Sequence, residues 1–275
     1  MDEFIENNRK HWEELAALHP DSDYYDVAAF LDGTCTLDPV EPEEVGTVEG
    51  KALLHLQCHF GMDTLSWARR GADVTGVDFS EEAVETAREL AEETGFEDSA
   101  RFVRSDVYDL PESDLAGEQF DVVYTSFGVL FWLPDLDRWA DVVSEFVRPG
   151  GTFYLADHHP FTNTFDEEST AEDLQVTYPY FGERLTYDAA ETGTYALDPD
   201  DLDHGSTHGW THSLGEIVTA LAGAGLDIDF LHEYPWSTFE AVDAMEEGEH
   251  GRYVLPGVEE YHPFVFTLRA SKPKQ

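Results

Sequence analysis

Between residues 51 and 157 the chain alternates short apolar runs with amphipathic stretches, and the alternation is regular enough to predict the elements one by one. Residues 52–56 (ALLHL) and 74–77 (VTGV) are near-continuous apolar runs, the pattern of parallel strands buried on both faces. Between them residues 62–70 repeat apolar positions with a helical period. Ser80 caps a further helix that carries Glu81 and Glu82 in its first turn and Gly95 at its end. Strands follow at 101–104, 120–124 and 152–157. A helix opened by Pro134 runs to residue 147, before the Gly150-Gly151 turn. Such βα repetition predicts a doubly wound sheet with right-handed crossovers.

Outside this core the pattern changes twice. Residues 3–18 place Phe4, Ile5, Trp12, Leu15 and Leu18 on one side of a helix that Pro20 ends, and a shorter helix stops at Gly33. Residues 158–212 lose the periodicity and are rich in Pro, Gly, Asp, Tyr and His, with strand-like pieces such as LQVTYPYF. They read as an insertion over the carboxyl ends of the strands. Residues 213–224 resume as a helix closed by Gly225, strands are expected at 226–234 and 263–270, and the aromatic link 235–262 should line a pocket. The organisation is thus a helical lid (1–50), a cofactor-binding core (51–158), a cap (159–212) and the rest of the core sheet (213–275).

Composition adds a compartment and removes some partners. Fifty-nine acids face 15 bases, four of them lysines, for a net charge of −44 spread along the whole length. Charge of one sign everywhere repels itself unless salt screens it. That predicts a halophilic cytoplasmic protein of the haloarchaeal type, with a hydrated acidic surface. Contact with DNA or RNA is opposed by the same field. The first residues read as a polar helix rather than a signal peptide, and no run approaches the length a membrane helix needs. Cys35 and Cys58 provide no disulfide framework and no cysteine zinc site. His204, His208 and His212 recur every four residues, but the intervening glycines suit a strand better than a helix, and no metal is expected.

The chemistry is written in LHLQCHFG and VTGVDFS. The first is a strand, a tight turn and the start of a helix. The second ends on Asp78, 21 residues after Gln57, where a carboxylate at a strand end can accept from two vicinal ribose hydroxyls. The turn has one glycine, Gly61, among bulky neighbours, whereas a pyrophosphate demands close backbone approach. A cofactor with adenosine but no phosphates therefore fits better than NAD.

These segments, with RFVRSDVYDLP, FDVVYTSFGVLFWLPDL and RPGGTFYLADHH in that order, resemble the class I S-adenosylmethionine-dependent methyltransferases over roughly residues 50–160. The loop departs from that family: His55 stands where an acid is common, and Gln57 and His59 replace two glycines. The resemblance implies a Rossmann-like seven-stranded sheet with the last strand antiparallel. It also implies S-adenosylmethionine as cofactor and a small-molecule methyl acceptor. It puts Asp78 on the ribose, Phe79 against the adenine, and Asp106 and Val107 at the adenine edge. Gln57, Cys58, His59 and Gly61 fall around the methionine portion, and Thr125, Ser126 and Phe127 beside the sulfonium. His158 and His159, at the end of the fifth strand, are the candidates for a general base. Trp12, Tyr24 and Tyr25 are candidate lid residues, with Tyr180, Trp210, His212 and Trp236 in the cap. A binding protein that uses the same cofactor as a regulator or scaffold is the alternative. The acceptor and the oligomeric state are not legible.

Overall fold

The computed structural model describes residues 3–166, 169–170, 173–188, 194–197, 202, 206–242, 245–257 and 262–274. Its centre is a seven-stranded sheet. In chain order its strands are β1 (Ala52–Leu56), β2 (Asp73–Asp78), β3 (Ala100–Arg104), β4 (Phe120–Ser126), β5 (Val147–His158), β8 (Asp227–Tyr234) and β12 (Val265–Ser271). They lie in the order β3-β2-β1-β4-β5-β12-β8. β1 pairs in parallel with both β2 and β4, and β12 runs antiparallel between β5 and β8. This is the doubly wound, last-strand-antiparallel sheet of the methyltransferase fold. The strand order reverses between β1 and β4, so the crevice outside their carboxyl ends is the topological place for a ligand.

Alternation along β1 shows why the sheet needs helices on both faces. Leu54 and Leu56 point into a core that includes Trp139, Phe146 and Ile217, whereas Leu53 packs with Trp67, Tyr124 and Tyr154 on the other side. The helices α4 (Met62–Arg69) and α5 (Glu81–Thr94) cover one face, and α6 (Leu136–Phe146) and α7 (Leu214–Gly223) the other. Their ends are set by local chemistry. The Ser80 hydroxyl accepts from Ala83 N and Gly95 closes α5 in the left-handed conformation at φ +75°. Ser213 and Glu216 form a reciprocal capping box on α7. The helix expected from Pro134 begins two residues later, because the Asp135 side chain caps it at Arg138 N.

Three short helices precede the sheet: α1 (Glu3–Leu18), α2 (Val27–Leu31) and α3 (Val40–Val45), the last not foreseen from the periodicity. α1 bridges two regions. Glu13 accepts from Glu81 N and Glu82 N at the start of α5, at 3.1 and 3.2 Å. Asn8 exchanges hydrogen bonds with the backbone of His208, at 2.7 and 2.8 Å. His208 lies on β7 (Ser206–Trp210), which pairs with β6 (Arg184–Asp188) in a hairpin. The strand-like piece LQVTYPYF forms no ladder; Val176 makes only an isolated bridge to Phe165. A small sheet of β9 (Trp236–Ser237), β10 (Glu246–Glu247) and β11 (Tyr253–Val254) lies in the link before β12. Among the described residues no helix is long and apolar enough to cross a membrane.

Candidate active site

The turn after β1 keeps the backbone that glycines would give it. Gln57 and His59 sit at φ +58° and +50°, the left-handed region, and Gly61 at +82°. Non-glycine residues held there cost on the order of 1 kcal/mol each or more and need the surroundings to enforce them. Here the enforcement is visible: Cys58 N donates to Val77 O and His59 N to Asp78 Oδ2, both at 2.9 Å. Gly61 cannot be replaced so easily, because a Cβ would fall 2.7 Å from Phe102 Cε1 and 2.9 Å from Ala87. Bulky side chains are therefore tolerated at two of the three turning points, and the third is closed by the α5–β3 packing.

Asp78 ends β2 facing this turn. Its Oδ1 accepts from Ser80 N at 3.0 Å and its Oδ2 from His59 N. Burial pushes its carboxyl up to about 6, against the backbone N–H groups that favour the charged form. Gln57 Oε1 is buried without a partner. An orphan acceptor beside a buried carboxylate fits a ligand rich in hydroxyl and amino donors, so the residues suit the adenosine cofactor that the turn implies. Asp106, after β3, uses both oxygens within the protein: Oδ1 accepts from Tyr108 N at 2.9 Å, and Oδ2 from the Arg9 guanidinium of α1 at 2.7 Å. The same guanidinium lies 5.8 Å from the centre of the Phe79 ring. Arg9 thus shares the space between Phe79 and Asp106 assigned to adenine.

Past β4 the chain turns through Phe127 at φ +26° and Gly128 at +75°. Asp157, at the end of β5, fixes that turn by accepting from Gly128 N, Leu130 N and His158 N at 2.6, 2.9 and 2.8 Å. The His158 ring is held through Nε2 by Thr238 Oγ1 at 2.9 Å and lies between Phe127 and Phe239. Gly128 lies against this ring, where a Cβ would stand 3.9 Å from Nδ1. Burial lowers the His158 pKa, only partly countered by Asp157, and keeps the imidazole neutral.

One cavity of about 1170 Å³ joins these groups. Gln57, Cys58, His59, Gly61, Asp78, Phe79, Asp106, Val107, Ser126, Phe127 and His158 line it, with Trp12, Tyr24, Tyr25, Trp210 and His212. Trp12 meets His59 and Trp132 edge-on, and the Tyr25 and Tyr195 hydroxyls are 2.6 Å apart. His212 Nε2 lies 2.7 Å from Leu133 O and donates to it. The structure places the other sequence candidates elsewhere. Thr125 is fully buried and turned to the opposite face from its neighbour Ser126, as strand alternation requires. His159 spends both ring nitrogens on Glu233 and on Phe161 N. Tyr180 Oη accepts from Leu214 N at the start of α7, and Trp236 packs under Arg252. His208 bonds to Thr186 across the hairpin, and His204 lies outside the described residues.

Sequence reasoning missed Arg9, Glu41 and Asp63 in the cavity wall, and Tyr195 from the cap. Among 59 acids no local signal marks Glu41 and Asp63 as cavity residues, and Arg9 reads as one more polar helix position.

The family model for a methyltransferase domain matches residues 53–151, which include the turn, Asp78, Asp106 and the strand ends just described. Residues 53–151 form a methyltransferase domain. Its fold and cofactor class are those of the S-adenosylmethionine-dependent enzymes. A ubiquinone biosynthesis O-methyltransferase of Psychrobacter cryohalolentis is 36% identical over 124 residues, 45% of this chain and 47% of that protein. The same-named protein of Sinorhizobium fredii is 30% identical over 158 residues, covering 57% and 61%. The chain therefore spans roughly half the length of these curated relatives. Among solved structures, an S-adenosylmethionine-dependent methyltransferase of Mesorhizobium loti superposes with a TM-score of 0.57 at 20% identity, over 88% of this chain and all of that one. Geranyl diphosphate C-methyltransferase of Streptomyces coelicolor gives 0.59 at 13% identity, over 98% of both chains. Both share the fold of the methyltransferase domain and its surroundings.

Proposed function

We propose that this protein transfers the methyl group of S-adenosylmethionine to a small-molecule acceptor held under the lid. The observation that carries the reading is the single cavity that runs from Asp78 at the end of β2, past Ser126 and Phe127, to His158 at the end of β5. Bound S-adenosylmethionine supplies a methyl group already activated by its sulfonium. Asp78 would orient the ribose, Phe79 and Val107 would flank the adenine, and Gln57, Cys58, His59 and Gly61 would surround the methionine portion. Asp106 would read the adenine edge once Arg9 is displaced from it. Phe127, Trp12 and the tyrosines of the lid would exclude water and align the acceptor, effects together worth about 7–11 kcal/mol in favourable cases.

His158 is the base for a hydroxyl acceptor. Its pKa is lowered by burial, it is fixed through one nitrogen, and its ring lines the cavity next to Gly128. General base catalysis contributes about 10²–10⁴-fold, so His158→Gln should cut turnover by that range and remove the acidic limb of the pH–rate profile. The −44 charge supports a halophilic, intracellular setting and an acceptor that is not a nucleic acid. The deciding experiment is calorimetric titration with S-adenosylhomocysteine and with NAD in molar potassium chloride, followed by methyl transfer to a panel of hydroxyl acceptors. Binding of S-adenosylhomocysteine alone, with turnover, upholds the proposal; binding without turnover for any acceptor makes the chain a regulator or scaffold; binding of neither refutes the cofactor assignment.

A further inference from the structure

The cavity wall carries one buried carboxylate, Glu41, and one half-buried carboxylate, Asp63, and among the described residues neither is paired with a cation. Asp63, in the first turn of α4, accepts from Thr36 Oγ1 at 2.6 Å and from Ser126 Oγ at 3.2 Å. Glu41, on α3, is 1% exposed and accepts from Asp38 N at 2.7 Å and from the Tyr124 hydroxyl. All four donors are neutral, and among the described residues neither acid forms an ion pair. The two acids repel each other, and burial holds both carboxyls above their usual range. Buried charge without a partner costs several kcal/mol. Ionised carboxylates offer about four acceptor sites each, so each of these has capacity left.

A separate observation points to what fills it. His55, on β1, is 2% exposed and lines the same cavity. Its Nδ1 is 2.8 Å from Thr64 Oγ1, and its Nε2 is buried with no partner among the described residues. Gln57 Oε1 is orphaned in the same wall. With the proton on Nδ1 donated to Thr64, His55 Nε2 is an acceptor, so an amide oxygen and an imidazole nitrogen lack donors here, beside two carboxylates that have acceptor capacity left. A group with three N–H donors and a positive charge answers that set, and a carboxylate or phosphate would be repelled by it.

We infer that Glu41 and Asp63, with His55 Nε2, form a subsite for a primary ammonium group, and that its occupant is the α-ammonium of the cofactor's methionine tail. The inference rests on the S-adenosylmethionine reading for the identity of the occupant. It assigns a positioning role to two acids outside the turn, one of them on a helix that precedes the domain.

The test compares ligands that differ only at that end. S-adenosylhomocysteine carries the ammonium, its desamino analogue lacks it, and 5′-methylthioadenosine lacks the whole amino-acid tail. Wild-type protein should bind S-adenosylhomocysteine about tenfold or more tightly than the desamino analogue. Asp63→Asn should weaken S-adenosylhomocysteine by about the same factor and leave 5′-methylthioadenosine within about twofold; Glu41→Gln should do likewise. Equal affinity of the wild type for the two homocysteine analogues overturns the subsite without recourse to any variant. So does an Asp63→Asn protein that loses 5′-methylthioadenosine as heavily as S-adenosylhomocysteine. If the wild type binds none of the three, the cofactor reading itself fails and the subsite falls with it.

Discussion

Gly61 and Gly209 both sit where a Cβ would strike a phenyl ring, Phe102 at 2.7 Å in one case and Phe131 at 1.8 Å in the other, yet Gly61 lines the cavity from the turn after β1, whereas Gly209 precedes Trp210, which lines it from the β6–β7 hairpin. Gly61 closes the turn after β1, where left-handed backbone, strand ends and the α5–β3 contact all fix the same few atoms. Gly209 lies on β7 of the cap, which is fastened to α1 mainly by side chains far apart in sequence: Asn8 to the His208 backbone and Phe4 edge-on to the His208 ring. The wall at the turn, assigned above to the cofactor, is held by local, backbone-borne constraints. The wall at the hairpin is assembled from distant segments, and its stability can be lost piece by piece.

That comparison can be broken by one substitution in each wall. Gly61→Ala adds a clash with buried groups to a strained φ and should cost at least about 2 kcal/mol in global stability. Gly209→Ala meets the far edge of a ring that can swing. It should cost less than about 1 kcal/mol globally while raising hydrogen exchange in residues 184–188 and 206–210. Denaturant unfolding with exchange mass spectrometry reads both. A Gly209→Ala chain as unstable as Gly61→Ala would make the two walls one cooperative unit.

The cofactor wall should also respond to pH through Asp78. Its carboxyl is raised to about 6 in the unliganded protein, and ribose hydroxyls donate to the ionised form. S-adenosylhomocysteine affinity should therefore fall about tenfold from pH 7 to pH 5, and Asp78→Asn should abolish that slope while weakening binding at pH 7. Stability has its own signs. His19 and His55 are held near 4 and 3 by burial, below the free value of 6.5. Below pH 6.5 the unfolded chain takes up protons that the folded chain refuses, and their stabilising contribution is lost as pH falls toward 4. Asp78 works the other way, because a raised carboxyl favours the folded state at low pH and loses that contribution as pH rises through 6. Six histidines are held below 6.5 by burial in this way (His19, His55, His59, His158, His159 and His212) against three raised carboxyls (Glu41, Asp63 and Asp78), so net stability should decline on acidification from pH 6.5.

Salt should act on both walls together. Fifty-nine acids repel across the surface, so the melting temperature should climb by several degrees between 0.1 M and 2 M potassium chloride. A melting temperature independent of salt would remove the halophilic reading. The smallest effect is expected where the walls touch. Arg9 and Asp106 are both partly exposed, so Arg9→Ala should change stability by less than about 1 kcal/mol. It should tighten S-adenosylhomocysteine binding a few-fold by freeing Asp106, as calorimetry would show. Weaker binding in the variant would mean that Arg9 stays and caps the bound adenine instead.

Much of the domain was readable in advance for a physical reason. The apolar runs of β1 and β2, the Ser80 and Ser213 caps and the acid at the end of β2 are local features, and each states its own conformation. Sequence also showed that Gln57 and His59 stand where glycines are usual, but not that the backbone keeps a glycine-like path, because Val77 O and Asp78 Oδ2 impose it from a neighbouring strand. Thr125 and Ser126, like His158 and His159, are adjacent in sequence and were treated alike. Strand alternation separates the first pair, and the Glu233 contact takes His159 away from the second.

By itself, then, the sequence determined the order of strands and helices, the cofactor class and the position of Asp78, since these follow from periodicity and spacing within about 30 residues. Only the tertiary structure decided which acids are buried, which of His158 and His159 lines the cavity and what lies between Phe79 and Asp106. Arg9 meets Asp106 across 97 residues and Asn8 meets His208 across 200. Contacts of that span depend on how whole elements pack, and no local pattern encodes them.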